Sequence, residues 1–269
     1  MSFPNFIEQA LTLADPSWLP VLRSALSDLQ RADSAYLSQL ENTVFLPEAT
    51  RLFAAFALPI DRVHYVLIGE GPYPRAESAT GFCFMDGAVG DLWSPDPDGG
   101  LSKKVNRATS LRNFIKMLLV ADGYLTEADT SIAAMSVVAR QARLPGADLI
   151  QTLPDLQQNL LSQGFLLLNA TLVFRPDVAP AKDAKAWQPF LHNILTALHE
   201  RQAKSESHVV TAVTLVLWGK IAEQLKQISV TELFSQQIAE HPYNLSFICN
   251  KTMQSFFRPL RLLQRPTLE

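Results

Sequence analysis

Cysteine is scarce in this sequence: Cys83 and Cys249 are the two present in 269 residues, too few for a disulfide framework. One thiol stands in each of two apolar neighbourhoods, which fits a reducing compartment, with the cytoplasm as the expected location. Excess positive charge is also lacking. The formal net charge is -3, so contact with a polyanion would have to come from a local patch, not from the global balance. No apolar run approaches the roughly 20 residues that span a bilayer. The first fifteen residues carry Glu8 and have no basic segment ahead of an apolar one, unlike a signal peptide. A soluble protein with no membrane partner is expected, and no internal repeat is visible.

What is present is a chain 48% hydrophobic and 18% charged, enough to bury a full core within one large α/β domain over residues 1–269. Up to Leu58 the apolar residues recur at helical spacing, as in Trp18, Val21, Leu22, Ala25, Leu26 and Leu29, which predicts a helical N-terminal layer. Short β-branched or leucine-rich runs follow at 63–68, 165–168 and 213–218, with a weaker fourth at 237–240. Helical patterns over 111–120, 187–199 and 221–228 separate them. Strands alternating with helices predict a three-layer sandwich, in which a central, mostly parallel four-stranded sheet carries helices on both faces. Two stretches read as insertions. Residues 87–100 are rich in Gly, Asp and Pro, as expected of an exposed loop; residues 124–154 are partly helical around 131–143.

In open parallel sheets, ligands bind outside the carboxyl ends of the strands. After the first run comes Gly69-Glu70-Gly71-Pro72-Tyr73-Pro74, the second ends at Asn169, and the fourth ends at His241-Pro242. The strand ends thus offer a carboxylate, an aromatic hydroxyl, an amide and an imidazole to one cleft. Each has an ordinary alternative, Asn169 as a turn or cap and His241 as a loop residue. A dinucleotide fingerprint is excluded at the first loop, because Pro74 stands where the third glycine is needed and two prolines remove amides that would cradle pyrophosphate.

In motif order over nearly the whole chain, these residues resemble the uracil-DNA glycosylases. Residues 69–74 resemble the family's G-Q-D-P-Y-H loop, and Gly81-Phe82-Cys83-Phe84 its G-L-C-F segment, at a matching separation. Ser110-Leu111-Arg112-Asn113-Phe114-Ile115-Lys116 resembles the serine-containing phosphate loop and its helix, although Ala108 and Thr109 replace two prolines. Leu166-Leu167-Leu168-Asn169 is similar to the strand that reads uracil, and Val216-Leu217-Trp218-Gly219 to another family strand. His241-Pro242-Tyr243-Asn244-Leu245-Ser246 resembles the H-P-S-P-L-S loop, which inserts a leucine into the duplex.

The resemblance implies a monomeric DNA glycosylase of base-excision repair, hydrolysing the N-glycosidic bond of deoxyuridine or a related damaged base, with DNA as partner and no metal or other cofactor. It implies Phe84 as the π-face beneath a flipped base, Asn169 as reader of the uracil edge, Tyr73 as the block against a thymine methyl, and Gly69 and Gly71 in the surrounding loop. His241 would donate to uracil O2 as negative charge develops on the leaving base. Ser110, Arg112, Lys116, Leu245 and Ser246 would contact DNA. Basic residues cluster accordingly: Lys103, Lys104, Arg107, Arg112 and Lys116 without an acid between Asp98 and Asp122, and Lys251, Arg258, Arg261 and Arg265 between Glu240 and Glu269. The departure lies at Gly71, where the family carries its catalytic aspartate, and at Pro74, which replaces a histidine. Glu70 would have to supply the missing carboxylate. The alternative is a catalytically impaired relative that serves as a DNA-binding or protein-interaction module.

Overall fold

The computed structural model describes residues 3–204 and 212–266. Its helices, in chain order, are α1 (Asn5–Leu11), α2 (Leu19–Ala32), α3 (Tyr36–Glu41), α4 (Lys103–Arg107) and α5 (Thr109–Ala121). There follow α6 (Ile132–Ala142), α7 (Leu153–Ser162), α8 (Pro180–Lys204), α9 (Lys220–Leu225) and α10 (Lys251–Phe257). The strands are β1 (Tyr65–Gly69), β2 (Phe165–Asn169), β3 (Thr214–Trp218) and β4 (Ser235–Ala239), in the sheet order β2-β1-β3-β4. All four expected strands form. The α/β architecture is the one the alternating pattern predicts.

Burial explains which strands were easy to read. Every residue of β2 is buried, as are all but the first of β1 and of β3. Strands covered on both faces read as continuous apolar runs and pair in parallel, and β1 is parallel to both β2 and β3. Strand β4, Ser-Gln-Gln-Ile-Ala, has no buried residue, so its signal is weak. Register sets the functional edge: Tyr65 lies opposite Phe165 and Thr214, and Gly69 opposite Asn169. The carboxyl ends of β1 and β2 therefore finish level with each other.

The chain divides into two compact units. The first comprises Met1–Met85, Gly164–Leu217 and Ile221–Gln236. In it, Leu22, Ala25, Leu26 and Leu29 are buried at helical spacing along α2, which packs on α8. A buried polar group ties this unit together. Arg175 pairs with Asp183 on α8 and lies over the Tyr36 ring, and the Tyr36 hydroxyl donates to Asp183 at 2.7 Å while accepting from Trp187 Nε1 at 3.0 Å. Burial, and then the neighbouring carboxylate, push the Tyr36 hydroxyl above its ordinary range.

The second unit comprises Asp86–Gln163, Trp218–Lys220 and Gln237–Glu269, and so contains both stretches read as insertions. Its core gathers Phe114, Trp218, Phe247 and Phe257 in ring contacts of about 5 Å between centroids. Local capping starts its helices: Ser102, Ser131 and Asn250 accept backbone N–H bonds at α4, α6 and α10, and Thr152 and Asp155 form a reciprocal capping box at α7. One expectation needs correction. Residues 87–100 are not simply an exposed loop, because Val89, Leu92 and Trp93 are buried and Trp93 Nε1 donates to the Ile150 carbonyl at 2.8 Å. Three large apolar side chains outweigh the loop-forming composition around them. Cys249 also departs from expectation: Cys83 is buried but Cys249 is exposed.

Candidate active site

In the first unit, the ladder between β1 and β2 continues into the loops that follow. Ala170 N–H donates to the Gly69 carbonyl at 2.8 Å, and Thr171 N–H to the Glu70 carbonyl at 3.2 Å. A Cβ at Gly69 would stand 2.8 Å from both Asn169 Oδ1 and Cys83 Cβ. Only glycine permits three chain segments to meet so closely. The segment carrying Phe84 is held from both sides by its neighbour: Cys83 N–H donates to the Leu167 carbonyl and its thiol to the Leu67 carbonyl, each at 3.1 Å. Burial pushes that thiol well above its ordinary range, so Cys83 acts as a packed donor and not as a nucleophile.

Phe84 itself is half-buried with φ at 59°. A bulky residue in the left-handed region carries strain of order 1–2 kcal/mol, and such strain persists only where surroundings over-determine it. Asn169 is 4% exposed, and none of the hydrogen bonds among the described residues involves its side-chain amide. The amide is not wholly enclosed, so it is open to a partner from outside. Gly69, Phe84 and Asn169 are thus brought together around Cys83, with Tyr73 half-buried in the same post-β1 loop.

Glu70 is different. It is exposed, and with Gly71, Pro72, Pro74 and Thr171 it belongs to the lining of a pocket of about 740 Å³ that includes none of Tyr73, Phe84 or Asn169. At Gly71 a Cβ would meet nothing nearer than the Thr171 carbonyl at 3.6 Å. The position where the family motif has aspartate is therefore open, on the side of this pocket.

In the second unit, His241 Nδ1 accepts the Tyr243 backbone N–H at 3.1 Å. A backbone amide can only donate, so the neutral ring carries its proton on Nε2, as a hydrogen-bond donor requires. Gly219, at φ 70°, makes room for this histidine: a Cβ there would lie 2.7 Å from His241 Cβ. Leu245 is 70% exposed and Ser246 is exposed beside it. Ser110 sits in the first turn of α5, half-buried. Arg112 donates to the Asn106 carbonyl at 3.1 Å, and Lys116 to the Thr130 carbonyl at 2.7 Å. Burial, and then Arg112, hold the Lys116 ammonium below its ordinary range. Part of the basic clusters is thus engaged internally, since Lys251 pairs with Glu127, Arg261 with Asp122, and Arg258 donates to the Ala121 carbonyl. Lys103, Lys104 and Arg107 on α4 are exposed.

No family model matches the sequence. A solved structure, the UNG of Nitratifractor salsuginis, is 35% identical, covers 97% of this chain and 96% of its own, and superposes with a TM-score of 0.83. This chain belongs to the uracil-DNA glycosylase superfamily. A curated uracil-DNA glycosylase of Corynebacterium glutamicum is 27% identical over 219 residues, 78% of this chain and 73% of that protein. The mimivirus uracil-DNA glycosylase, at 18% identity and a TM-score of 0.55 over 90% of this chain and 76% of its own, shares the fold.

Within this glycosylase fold, one contributor escaped the sequence reading. Asn113 lies in the middle of α5 with 0% exposure, and its amide donates to the carbonyls of Pro242, Tyr243 and Asn244 at 2.8, 3.3 and 3.4 Å. It fixes the backbone that bears His241 and Leu245. An amide flanked by Leu111, Phe114 and Ile115 was the available signal, because a polar residue on a buried stripe must have a partner.

Proposed function

We propose that the protein is a DNA glycosylase of base-excision repair that releases uracil or a related damaged base from DNA. The observation that carries this reading is the Asn169 amide, buried beside Gly69 and the Cys83-Phe84 segment and lacking a partner among the described residues. Its one acceptor and two donors suit uracil N3–H and O4, a pattern that cytosine inverts. Phe84 is the face on which the extruded base stacks, and Tyr73 blocks the thymine methyl. As the bond breaks, charge develops on uracil O2, and a donor held in place before the reaction lowers that barrier. His241, with its proton on Nε2, fills this role. Ser110, at the first turn of α5, and Arg112, Lys116, Leu245 and Ser246 belong to the DNA-contacting set, through phosphate contacts and a leucine wedge.

Glu70, one residue before Gly71 and exposed in the lining of the neighbouring pocket, is the carboxylate that would have to turn toward the sugar to stand in for the missing aspartate. A second reading is favoured by Gly71 and Pro74: a family member that keeps its pocket and binds DNA without turnover. One assay separates them, free base released from a uracil-containing oligonucleotide by the parent, Glu70→Gln and Gly71→Asp. Activity lost in Glu70→Gln supports the relocated carboxylate. A silent parent revived by Gly71→Asp supports the second reading, and silence in both, with folding confirmed, overturns the enzyme. In an active parent, Asn169→Asp is expected to shift preference toward cytosine and Tyr73→Ala to admit thymine.

A further inference from the structure

Tyr243 and Leu245 are the most exposed large side chains of the loop after β4, at 67% and 70%. Apolar groups so exposed normally sit on backbone that can relax. Here the backbone between them is fixed. Asn113, itself wholly buried, bonds the carbonyls of residues 242, 243 and 244, and the Tyr243 N–H is held by His241 Nδ1. The ordering cost of presenting these two side chains is therefore met before anything binds, as in a preorganised recognition loop.

Two features of the same unit select the occupant. The sequence from 241 to 268 contains no acidic residue, and α4, immediately ahead of the helix that carries Asn113, exposes Lys103, Lys104 and Arg107. An exposed aromatic side chain on a fixed backbone, in a unit that also exposes Lys103, Lys104 and Arg107, matches the chemistry of single-stranded nucleic acid, where phosphates meet cations and bases stack on aromatic faces. We propose that Tyr243, which stands at a serine position of the family loop, is a base-stacking residue that takes an unpaired nucleobase next to the one displaced by Leu245. This rests on the glycosylase reading for the presence of DNA, but not for turnover.

The test uses the full chain and a single-stranded oligonucleotide carrying an abasic-site analogue flanked by 2-aminopurine, which requires no catalysis. The parent should quench the fluorophore. Tyr243→Ala should abolish the quench and weaken binding roughly five- to a hundred-fold, the range for one base–aromatic stack. The plot of log affinity against log salt should shift in parallel, because no phosphate contact is lost, and Tyr243→Phe should restore both affinity and quench. Equal binding by Tyr243→Ala, a changed salt slope, or failure of Tyr243→Phe to rescue would overturn the proposal, as would a parent that binds no oligonucleotide. Uracil release measured on the same proteins keeps the two readings apart. A parent that quenches but releases no base refutes the activity alone; release with an indifferent Tyr243→Ala refutes the stacking role alone.

Discussion

Two glycines only two positions apart behave oppositely. At Gly69 an added Cβ would stand 2.8 Å from Asn169 Oδ1 and from Cys83 Cβ, whereas at Gly71 its nearest neighbour would be 3.6 Å away. Gly69→Ala must therefore displace the amide or the Cys83 segment, at a cost of about 1–3 kcal/mol, and base release should fall with it. Gly71→Asp should leave the unfolding free energy within about 0.5 kcal/mol of the parent's. Should Glu70 not already supply the carboxylate, the new one should raise release by about 10²- to 10⁴-fold. Thermal unfolding of both variants beside base release checks the pair. An unperturbed Gly69→Ala would mean that Asn169 is not held where the proposed base-reading role needs it.

Helix α5 carries Ser110, a proposed DNA contact, in its first turn and ends in a liability. Asp122 caps its C-terminus, where the helix dipole already disfavours a carboxylate. Its side chain is 3% exposed, Oδ2 has no hydrogen-bond partner among the described residues, and Arg261 stands 3.7 Å away. Burial pushes the carboxyl up from 3.8 to about 6, against the opposing pull of Arg261 and Arg258. The folded state then binds more protons than the unfolded chain between those values, so this group makes stability fall as pH rises from about 4 to about 6 and adds no slope above. Asp122→Asn should remove that slope and raise stability at pH 7 by about 1 kcal/mol once solvent screening is allowed for. Chemical denaturation at pH 4, 5, 6 and 7 reads both effects; parallel curves for parent and variant would show that Asp122 titrates normally.

At the scale of the whole chain, the cluster of Tyr36, Arg175, Asp183 and Trp187 ties together distant segments of the first unit. It joins the loop after Asn169 to α3 and α8 through hydrogen bonds whose partners lie as far as 151 positions apart. Asp183→Ala would leave the 5%-exposed Arg175 without its carboxylate, and removing one partner of a buried pair costs about 3–5 kcal/mol. Asp183→Asn, which keeps the acceptor for Tyr36, should cost less. Urea unfolding of the two variants orders them, and equal midpoints would show that the ion pair contributes nothing beyond shape.

Much was settled by the order of residues alone. Continuous apolar runs specified β1, β2 and β3, because a strand buried on both faces needs no alternation. The sequence of motifs also singled out Asn169, Phe84 and His241 as the proposed site residues and showed Gly71 where the family motif carries an aspartate. Only the tertiary structure decided that Trp93 is buried inside a loop-like stretch, that Lys116 and Lys251 are engaged within the second unit, that Phe84 is held at positive φ, and that Asn113 fastens the loop 129 to 131 positions away. The reason is one of range. Propensity, capping and periodicity are set by neighbours within a turn or two, whereas burial, hydrogen-bond satisfaction and close approach depend on segments that meet only after the chain has folded.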